Sequence, residues 1–593
     1  MRVSDFIFNF LTDKGVDTVF MVSGGQAMYL NDAVCQNKKI KAICTHHEQA
    51  AGMAAEAYGR ITGKIGVALV TAGPGAINVT NGLVGGWTDS SPMIIISGQS
   101  AMSCVKYQEE SGIRQFGIQG IFIKPLVESA TKYFVTVDDP GEIRYYMEKA
   151  YHLATSGRPG PVWIDVPLDI QAMQVPQSTL HEYKPDFNNI NVKDFKRNAK
   201  EAFEMLKNAK RPIFLVGQGV RISKAIDVFT ETITKLQVPV LTSRLGIDVI
   251  ESDNNLYVGR PGNYGERAAN FAIQNADLII SVGCRLASAL VGHNPKNFGK
   301  NAKKIVVDID LKELEKPGID IDLKINGDAK KFFEIMLEQI QQDNRPNWDG
   351  WVKTCNNWKQ KYPVVLDSYK DEKPVNSYYF TNRLSEYATK DDMILVDTGT
   401  CFHVACQTWK IKKNQRFLTT GGISSMGYWA AGIGACLANN CNRTIVITGD
   451  GSLQMNLQEL ATIKHNNLPV KIFIFNNNGY LLIRHTQRNL MEGRLFAEGP
   501  NTGVWCPDSL KIAAAYGIKD VKIDSTEEVD EKIREVMDYN GPVICDIMTP
   551  EWQLIIPRVS SDKMPDGKLV SRPYEDMFPY LDRDELNESM NIK

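Results

Sequence analysis

The feature that most constrains the fold is a strand–turn–helix–strand pattern at residues 443–477. A run of β-branched residues leads into Gly449-Asp450-Gly451-Ser452, which predicts a buried strand ending in a tight turn. Residues 453–464 show helical periodicity, and a second apolar run then ends at Asn477. The pattern predicts a β-α-β unit that places Asp450 and Asn477 at the carboxyl ends of neighbouring parallel strands, where such folds bind ligands.

These strand ends predict a site for Mg²⁺ and a diphosphate group. A hard cation prefers the oxygen ligands that Asp450, Asn477 and the backbone carbonyl of Gly479 offer. A helix that begins after the turn would point its N-terminus at the same anion. The predicted contacts to the bound group are Gly449, Gly451, Ser452, Asn477, Gly479 and Tyr480. A different interpretation is that both glycine-containing segments are only tight turns.

A second informative segment, Thr45-His46-His47-Glu48-Gln49, lies far upstream. It stands between a short strand pattern and a helix of small residues at positions 50–58. A glutamate at the buried start of a helix is costly unless it is paired, which makes Glu48 a candidate functional residue. Glu48 could equally be a carboxylate that only favours the helix dipole.

Together, these segments resemble the thiamine diphosphate enzymes, and most closely the acetolactate synthase group. The resemblance extends from about residue 1 to about residue 560 and includes separate motifs in the family's order. The motifs are His47-Glu48-Gln49, Gly73-Pro74-Gly75, Gly98-Gln99, Arg158-Pro159-Gly160-Pro161 and Gly449-Asp450-Gly451 with Asn476-Asn477. The resemblance implies thiamine diphosphate and Mg²⁺ as cofactors. It also implies decarboxylation of a 2-oxo acid such as pyruvate and carboligation of the two-carbon unit to a carbonyl acceptor.

The same resemblance implies roles for individual residues. Glu48 would hydrogen-bond N1′ of the aminopyrimidine and promote removal of the C2 proton of the thiazolium, because the cofactor carries the difficult chemistry. Gln119 would contact substrate, and His47 would relay protons, although both also fit structural roles. Further cofactor contacts would come from Gly399, Gly422, Ser424 and Met426, the last as the apolar wedge between the two cofactor rings.

The fold class that follows is α/β, with three doubly wound domains of mostly parallel sheets and a C-terminal arm. The expected ranges are 1–172 for an aminopyrimidine-binding domain, 190–340 for a central domain, 377–550 for a diphosphate- and Mg²⁺-binding domain, and 551–593 for the arm. Polar, proline-containing segments at about 173–190 and 340–376 are predicted connections. The arm is expected to lie over the active site or at a subunit interface, with Arg558 as a candidate ligand for an anionic substrate.

The central domain carries short patterns that resemble FAD contacts of the acetolactate synthases. They are Gly217-Gln218-Gly219, Arg260-Pro261-Gly262, Gly283-Cys284-Arg285 and Asp308-Ile309-Asp310. Bound FAD and glycine turns without flavin are both consistent with them.

Charge and composition limit the classes of partner. A net charge of −2 gives no reason to expect nucleic acid, and no apolar run is long enough to span a membrane. Eleven scattered cysteines fit a cytoplasmic protein without a disulfide framework. The resemblance implies that the cofactor lies between subunits, so we expect a homodimer or homotetramer.

The sequence leaves the exact reaction open. Leu168 stands where the synthases tend to carry lysine, and Gly120 replaces an acidic residue after Gln119. The segments at residues 22–28 and 572–577 resemble synthase-like proteins of bacterial surface-sugar synthesis, which suggests a nucleotide-linked keto sugar as acceptor. A non-ligating 2-oxo acid decarboxylase and an inactive assembly subunit are also consistent with the sequence.

Overall fold

The computed structural model describes residues 1–176, 180–185, 192–342 and 345–592. The predicted connection at 173–190 lies partly outside the described residues. Among those residues, no helix is long and apolar enough to cross a membrane.

The described residues form three six-stranded parallel sheets, each flanked by helices, so the α/β fold class with three doubly wound units is confirmed. The first sheet contains β1–β6, which are Thr18–Met21, Lys41–Cys44, Gly66–Val70, Met93–Gln99, Tyr133–Thr136 and Pro161–Pro167. The central sheet contains β7–β12, which are Pro212–Val216, Val240–Thr242, Tyr257–Gly259, Leu278–Val282, Lys303–Asp308 and Leu323–Asn326. The third sheet contains β13–β18, which are Met393–Val396, Arg416–Thr419, Thr444–Gly449, Val470–Asn476, Lys519–Ile523 and Val543–Met548.

The strand orders relate the three units to one another. The first sheet runs β2-β1-β3-β4-β6-β5 and the third runs β14-β13-β15-β16-β18-β17, which is the same order at equivalent positions. The central sheet runs β9-β8-β7-β10-β11-β12, the 3-2-1-4-5-6 order of dinucleotide-binding folds. The first and third units therefore share a topology that the central unit lacks. The predicted domain boundaries themselves stay predictions.

Helices cover the faces of the sheets. In the first unit the α-helices are Val3–Asp13, Met28–Gln36, Glu48–Thr62, Pro74–Asn78, Thr80–Asp89, Met102–Ser111, Lys124–Val127, Ile143–Thr155 and Leu168–Ala172. In the central unit and the segment that follows it, they are Val192–Lys207, Gln218–Ile222, Ile226–Leu236, Arg267–Asn275, Ser288–Val291, Leu311–Leu314, Ala329–Gln342 and Asp349–Lys361. In the third unit they are Ser377–Tyr387, Thr400–Thr408, Gly432–Ala438, Asp450–Leu453, Glu459–His465, Leu481–Leu490, Ser509–Ala515 and Val529–Asp538.

The first and third units share one apolar core. Helix Glu48–Thr62 packs against helix Gly432–Ala438, and buried residues of both units belong to the same cluster. A Cβ on Gly434 would lie 1.9 Å from the carbonyl oxygen of Ala54, so this approach requires glycine. The small residues after Glu48 thus serve close helix packing between the two units.

Two predicted elements differ from the structure. The helix expected over residues 453–464 is two short helices, Asp450–Leu453 and Glu459–His465. Between them Asn456 has a positive φ of 70°, and its amide donates to the carbonyl oxygen of Gly427 at 3.1 Å. A tertiary hydrogen bond therefore overrides the helical periodicity.

The expected connection at 340–376 is largely a packed element. Helix Asp349–Lys361 carries Trp351 and Trp358 into the core of the central unit, together with the preceding Trp348. The indole N–H groups of Trp348 and Trp351 donate to backbone carbonyls beside β7.

The C-terminal arm joins the third unit to the central one. It contains the short strands β19–β22, which are Arg558–Val559, Ser561–Lys563, Leu569–Ser571 and Met577–Phe578, and it ends in helix Arg583–Met590. Four polar side chains of helix Arg267–Asn275 bind it: Arg267, Asn270, Gln274 and Asn275. Within one chain the arm is thus docked on the central unit. Arg558 pairs with Phe578 in this arm, and its Nε is buried without a hydrogen-bond partner among the described residues.

Candidate active site

Asp450 begins the helix that follows β15. Its side chain is buried, with Oδ1 accepting from the backbone N–H of Gly451 and Oδ2 from that of Gly479, both at 2.9 Å. Burial raises the pKa of Asp450 to about 6, the backbone N–H groups oppose this, and the charge of Asp546 adds to it. The carboxylate thus ties the turn after β15 to the loop after β16.

Asn477 lies directly after β16, at the adjacent strand end. Its side-chain oxygen Oδ1 is buried and has no hydrogen-bond partner among the described residues. Buried amide oxygens nearly always have a partner, so this oxygen is free to accept a hydrogen bond or to coordinate a cation. Together with the Asp450 carboxylate it makes a donor set that fits a hard cation.

The glycines of this region fall into two groups. A Cβ on Gly451 would lie 2.3 Å from the ring of Tyr480, and one on Gly479 would lie 2.1 Å from the carbonyl oxygen of Glu498. These two allow close packing, and Gly479 also has a φ of 128°. In contrast, a Cβ on Gly449 or Gly399 would meet no atom within 4 Å, so the space beside these two backbone positions is open.

Ser452 is held by Asp397, a buried carboxylate at the end of β13. Its hydroxyl donates to Asp397 Oδ2 at 2.6 Å and accepts from the N–H of Gly427 at 2.9 Å. Thr448 donates to the same carboxylate oxygen at 2.9 Å. Ser452 therefore joins the Asp450 turn to the loop that contains Met426.

That loop, residues 421–427, carries three predicted cofactor contacts. Gly422 and Ser424 are exposed, and Met426 is half-buried. The loop rests on the first unit, because Gly421 donates to Asp89 Oδ2 at 2.8 Å and a Cβ on Gly422 would lie 2.2 Å from Thr88.

Glu48 stands at the start of its helix in the first unit. It is 9% exposed, and its Oε2 accepts from Asn78 Nδ2 at 3.0 Å. His47 precedes it as the N-cap, with Nδ1 accepting from the N–H of Gln49 at 3.1 Å. His47 therefore has a structural role in the helix start, while Glu48 is oriented through one carboxylate oxygen by Asn78.

Gln119 lies in an exposed loop of the same unit with a φ of 57°. Its carbonyl oxygen lies 2.6 Å from the position of a Cβ on Gly73, so the loop packs closely on the Gly73 turn. A Cβ on the next residue, Gly120, would lie 2.7 Å from Ser100 Oγ. A side chain at position 120 would therefore not fit without movement of that serine.

The predicted residues thus form two groups. Asp450, Gly451, Gly479 and Tyr480 contact one another in the third unit, beside Asn477. Among the described residues, no hydrogen bond or ion pair joins Glu48 or Gln119 to Asp450 or Asn477. The functional roles of both groups stay predictions.

Two buried ionic groups beside the site were missed in the sequence. Glu459 accepts from the backbone N–H groups of His46 and His47, and Arg484 pairs with Glu498 while donating to the carbonyl oxygen of Asn477 at 3.2 Å. Each is one polar residue in a helix, and only the tertiary fold reveals its partners.

A cavity of about 440 Å³ is lined by residues of all three units. All four patterns that resemble flavin contacts contribute to its lining, including Gly219, Gly262, Gly283 and Asp308. Arg158, Arg244, Arg260 and Arg285 also line it. Arg158 is ion-paired with Asp310 and Glu313, and Arg260 with Glu266. Asp89, Asp308 and Asp328 also line the cavity, so its lining carries charges of both signs.

Comparison with protein families assigns three successive parts of the chain. Residues 1–118 match the thiamine pyrophosphate enzyme N-terminal TPP binding domain, residues 199–336 the central domain, and residues 397–547 the C-terminal TPP binding domain. Glu48 lies in the first match, and Asp450 and Asn477 lie in the third.

Whole-chain relatives agree with these matches. A probable acetolactate synthase large subunit of Methanococcus aeolicus is 31% identical, over 92% of each chain. The acetolactate synthase isozyme 2 large subunit of Escherichia coli K12 is 30% identical, over 95% of this chain and 99% of the relative. The chloroplastic acetolactate synthase of Arabidopsis thaliana is 30% identical, over 94% and 83%.

Proposed function

Because this chain belongs to the acetolactate synthase-like group of the thiamine pyrophosphate enzymes, we propose that it decarboxylates pyruvate and transfers the two-carbon unit to a carbonyl acceptor. The observation that carries this proposal is the buried, unpartnered Oδ1 of Asn477 beside the Asp450 carboxylate. Those two oxygens fit a Mg²⁺ ion that holds a diphosphate group.

In this proposal the third unit holds the cofactor. Asp450, Asn477 and the carbonyl of Gly479 would bind Mg²⁺, while Gly399 and Gly449 leave room for the diphosphate. Bound thiamine diphosphate would supply a carbon nucleophile and an electron sink for decarboxylation. The Ser424–Met426 part of the loop would contact its rings.

Glu48 would act on the other end of the cofactor. A buried carboxyl group beside the aminopyrimidine can share a proton with N1′, and Asn78 orients it by bonding Oε2. Gln119, which is exposed in one chain, would contact substrate. His47, which caps the helix that begins at Glu48, would relay protons.

We also propose that two subunits form each site. Its support is that, among the described residues, no hydrogen bond or ion pair joins Glu48 to Asp450 or Asn477 of the same chain. Exposed apolar side chains near Gln119, such as Phe116 and Ile118, give a second copy a surface to cover. The assembly would be a homodimer or a dimer of dimers.

The 440 Å³ cavity is proposed as an FAD site. Its support is the dinucleotide-type strand order of the central sheet and the arginines that line the cavity. A visible flavin spectrum of the purified protein, with FAD released on denaturation, is the expected result. A colourless protein that fails to bind added FAD would contradict this part.

The test of the proposed function is product analysis with pyruvate, Mg²⁺ and thiamine diphosphate. Carbon dioxide and acetolactate are expected, and Glu48→Gln should reduce both while retaining cofactor. Failure to bind thiamine diphosphate at any Mg²⁺ concentration would overturn the proposal.

A second acceptor class is favoured by one observation. Position 120, next to Gln119, is a glycine, and a Cβ there would lie 2.7 Å from Ser100 Oγ, so this position offers no side chain to an acceptor. We therefore include a nucleotide-linked keto sugar in the same assay. Carbon dioxide release that depends on the sugar, without acetolactate from pyruvate alone, would select that acceptor. Acetaldehyde as the sole organic product would instead indicate a non-ligating decarboxylase.

A further inference from the structure

Glu459 is a fully buried carboxylate at the start of helix Glu459–His465 in the third unit. Its Oε1 accepts from the backbone N–H of His46 and of His47, both at 3.0 Å. The hydroxyl of Thr462 donates to Oε2 at 2.7 Å. This one side chain therefore binds the two residues that directly precede Glu48, more than four hundred positions away in the sequence.

The segment that Glu459 binds is also held by local hydrogen bonds. The carbonyl oxygen of His47 accepts from the hydroxyl of Thr45 at 3.1 Å and from the N–H of Ala50 at 3.1 Å. His47 Nδ1 accepts from Gln49. The N–H groups held by Glu459 are the remaining backbone donors of His46 and His47, so its carboxylate completes the restraint of the chain that leads into Glu48.

We propose that Glu459 is a positioning residue that sets the placement of Glu48 from the third unit of the same chain. The proposal rests on the proposed function, because Glu48 acts only when an aminopyrimidine lies beside it. In the two-subunit site, Glu459 belongs to the chain that supplies Glu48, whereas Mg²⁺ and diphosphate are bound by the other chain. Loss of Glu459 should therefore impair proton removal at C2 of the cofactor and leave cofactor affinity largely unchanged.

The experiment uses two readouts on the full-length protein loaded with thiamine diphosphate and Mg²⁺. One is the rate of deuterium exchange at C2 of the bound cofactor, measured by proton NMR after acid quench. The other is the dissociation constant of the cofactor, measured by calorimetry. For Glu459→Ala we expect exchange slowed by about tenfold or more and a dissociation constant within about twofold of wild type. For Glu459→Gln, which keeps one acceptor oxygen, we expect a smaller slowing of about threefold.

Asp392→Asn is the matched control. Asp392 is also a buried carboxylate of the third unit, but it pairs with Arg443, and among the described residues no hydrogen bond or ion pair joins it to residues 45–47. Its exchange rate should equal that of wild type.

Each outcome decides the proposal. Wild-type exchange in both Glu459 variants would overturn it, as would equal losses of exchange and affinity in folded protein. If circular dichroism shows that Glu459→Ala is unfolded, Glu459→Gln is judged by the same two readouts. A wild-type protein that does not bind thiamine diphosphate would refute the proposed function instead, so the two failures are distinguishable.

Discussion

Asp397 and Asp450 follow neighbouring strands of the third sheet, yet their hydrogen-bond partners leave them with different capacities to bind a cation. Asp397 accepts from Thr448, Ser452 and the backbone N–H groups of Thr398 and Tyr428. An ionised carboxylate has about four acceptor positions, so Asp397 is saturated by the protein. Asp450 accepts from the backbone N–H groups of Gly451 and Gly479, one at each carboxylate oxygen, and retains capacity for a cation.

The first prediction concerns Asp450→Asn. The substitution removes the negative charge and one acceptor oxygen while preserving size, so the affinity for Mg²⁺ with thiamine diphosphate should fall by about tenfold or more. Calorimetric titration of the apo-protein measures this change. Asp392→Asn removes a buried carboxylate outside the site and should bind the cofactor as wild type does. Unchanged affinity in Asp450→Asn would exclude it as a metal ligand.

Asp165, a buried residue in β6 of the first sheet, gives a prediction about pH. Burial raises the pKa of Asp165 to about 6, although Ser97, Gln99 and Thr136 donate to it. Because the folded-state pKa exceeds the usual 3.8, ionisation of this group costs stability, and its contribution declines as pH rises from about 4 to about 6. Asp165→Asn does not ionise, so its stability relative to wild type should improve over that window by up to roughly 3 kcal/mol.

Thermal unfolding of both proteins at about pH 4 to 7 provides the measurement. At the acidic end the variant should be the less stable of the two, because an amide N–H₂ would face the donors of Ser97 and Gln99. A difference in stability that is constant over the window would show that Asp165 ionises normally in the folded protein.

At the scale of elements, strands were more predictable than the contacts that hold their loops. The β-branched run before Gly449 and the apolar run before Asn477 became β15 and β16, because buried parallel strands have a local composition signal. The predicted helix between them was wrong in the middle, where the Asn456 amide bonds Gly427. That partner lies in another loop, which periodicity does not reveal.

The loop after β16 is braced in a way that no local pattern indicated. Arg484 is buried in helix Leu481–Leu490 and donates to the carbonyl oxygens of Asn477, Asn478 and Glu551 at 3.2, 2.9 and 2.8 Å. Its ion pair with Glu498 is also buried. The guanidinium thus fixes the backbone of the loop that carries the amide and carbonyl oxygens predicted to bind Mg²⁺.

We expect Arg484→Met to increase the Mg²⁺ concentration required for half-maximal cofactor binding by about tenfold, because three carbonyl oxygens and Glu498 lose their partner. Arg488→Met is the control, since Arg488 is exposed on the same helix and lies over the ring of Trp552. Cofactor binding titrated against Mg²⁺, with circular dichroism to verify folding, measures the effect. Equal Mg²⁺ requirements in the two variants would show that Arg484 does not support Mg²⁺ binding.

At the scale of the whole molecule, the first and third units have one strand order and one shared core, but they present their functional residues separately. Helix Glu48–Thr62 packs on the third unit through the Gly434–Ala54 approach, and Glu459 binds the two residues that precede the helix. Among the described residues, no hydrogen bond or ion pair joins Glu48 to Asp450 of the same chain. The proposed two-subunit site takes Glu48 from one chain and Asp450 from the other.

Complementation between two inactive variants tests that geometry. Glu48→Gln and Asp450→Ala should each be nearly inactive as homodimers, because every site contains one altered residue. A mixed dimer contains one site with both substitutions and one site with neither. After unfolding and refolding an equimolar mixture, random assembly makes half the dimers mixed, so about one quarter of all sites should be intact. Activity near that fraction, absent when the variants are refolded separately and then combined, supports sites shared between subunits. No recovery, with mixed dimers verified by differential tagging, would mean that each chain builds its site alone.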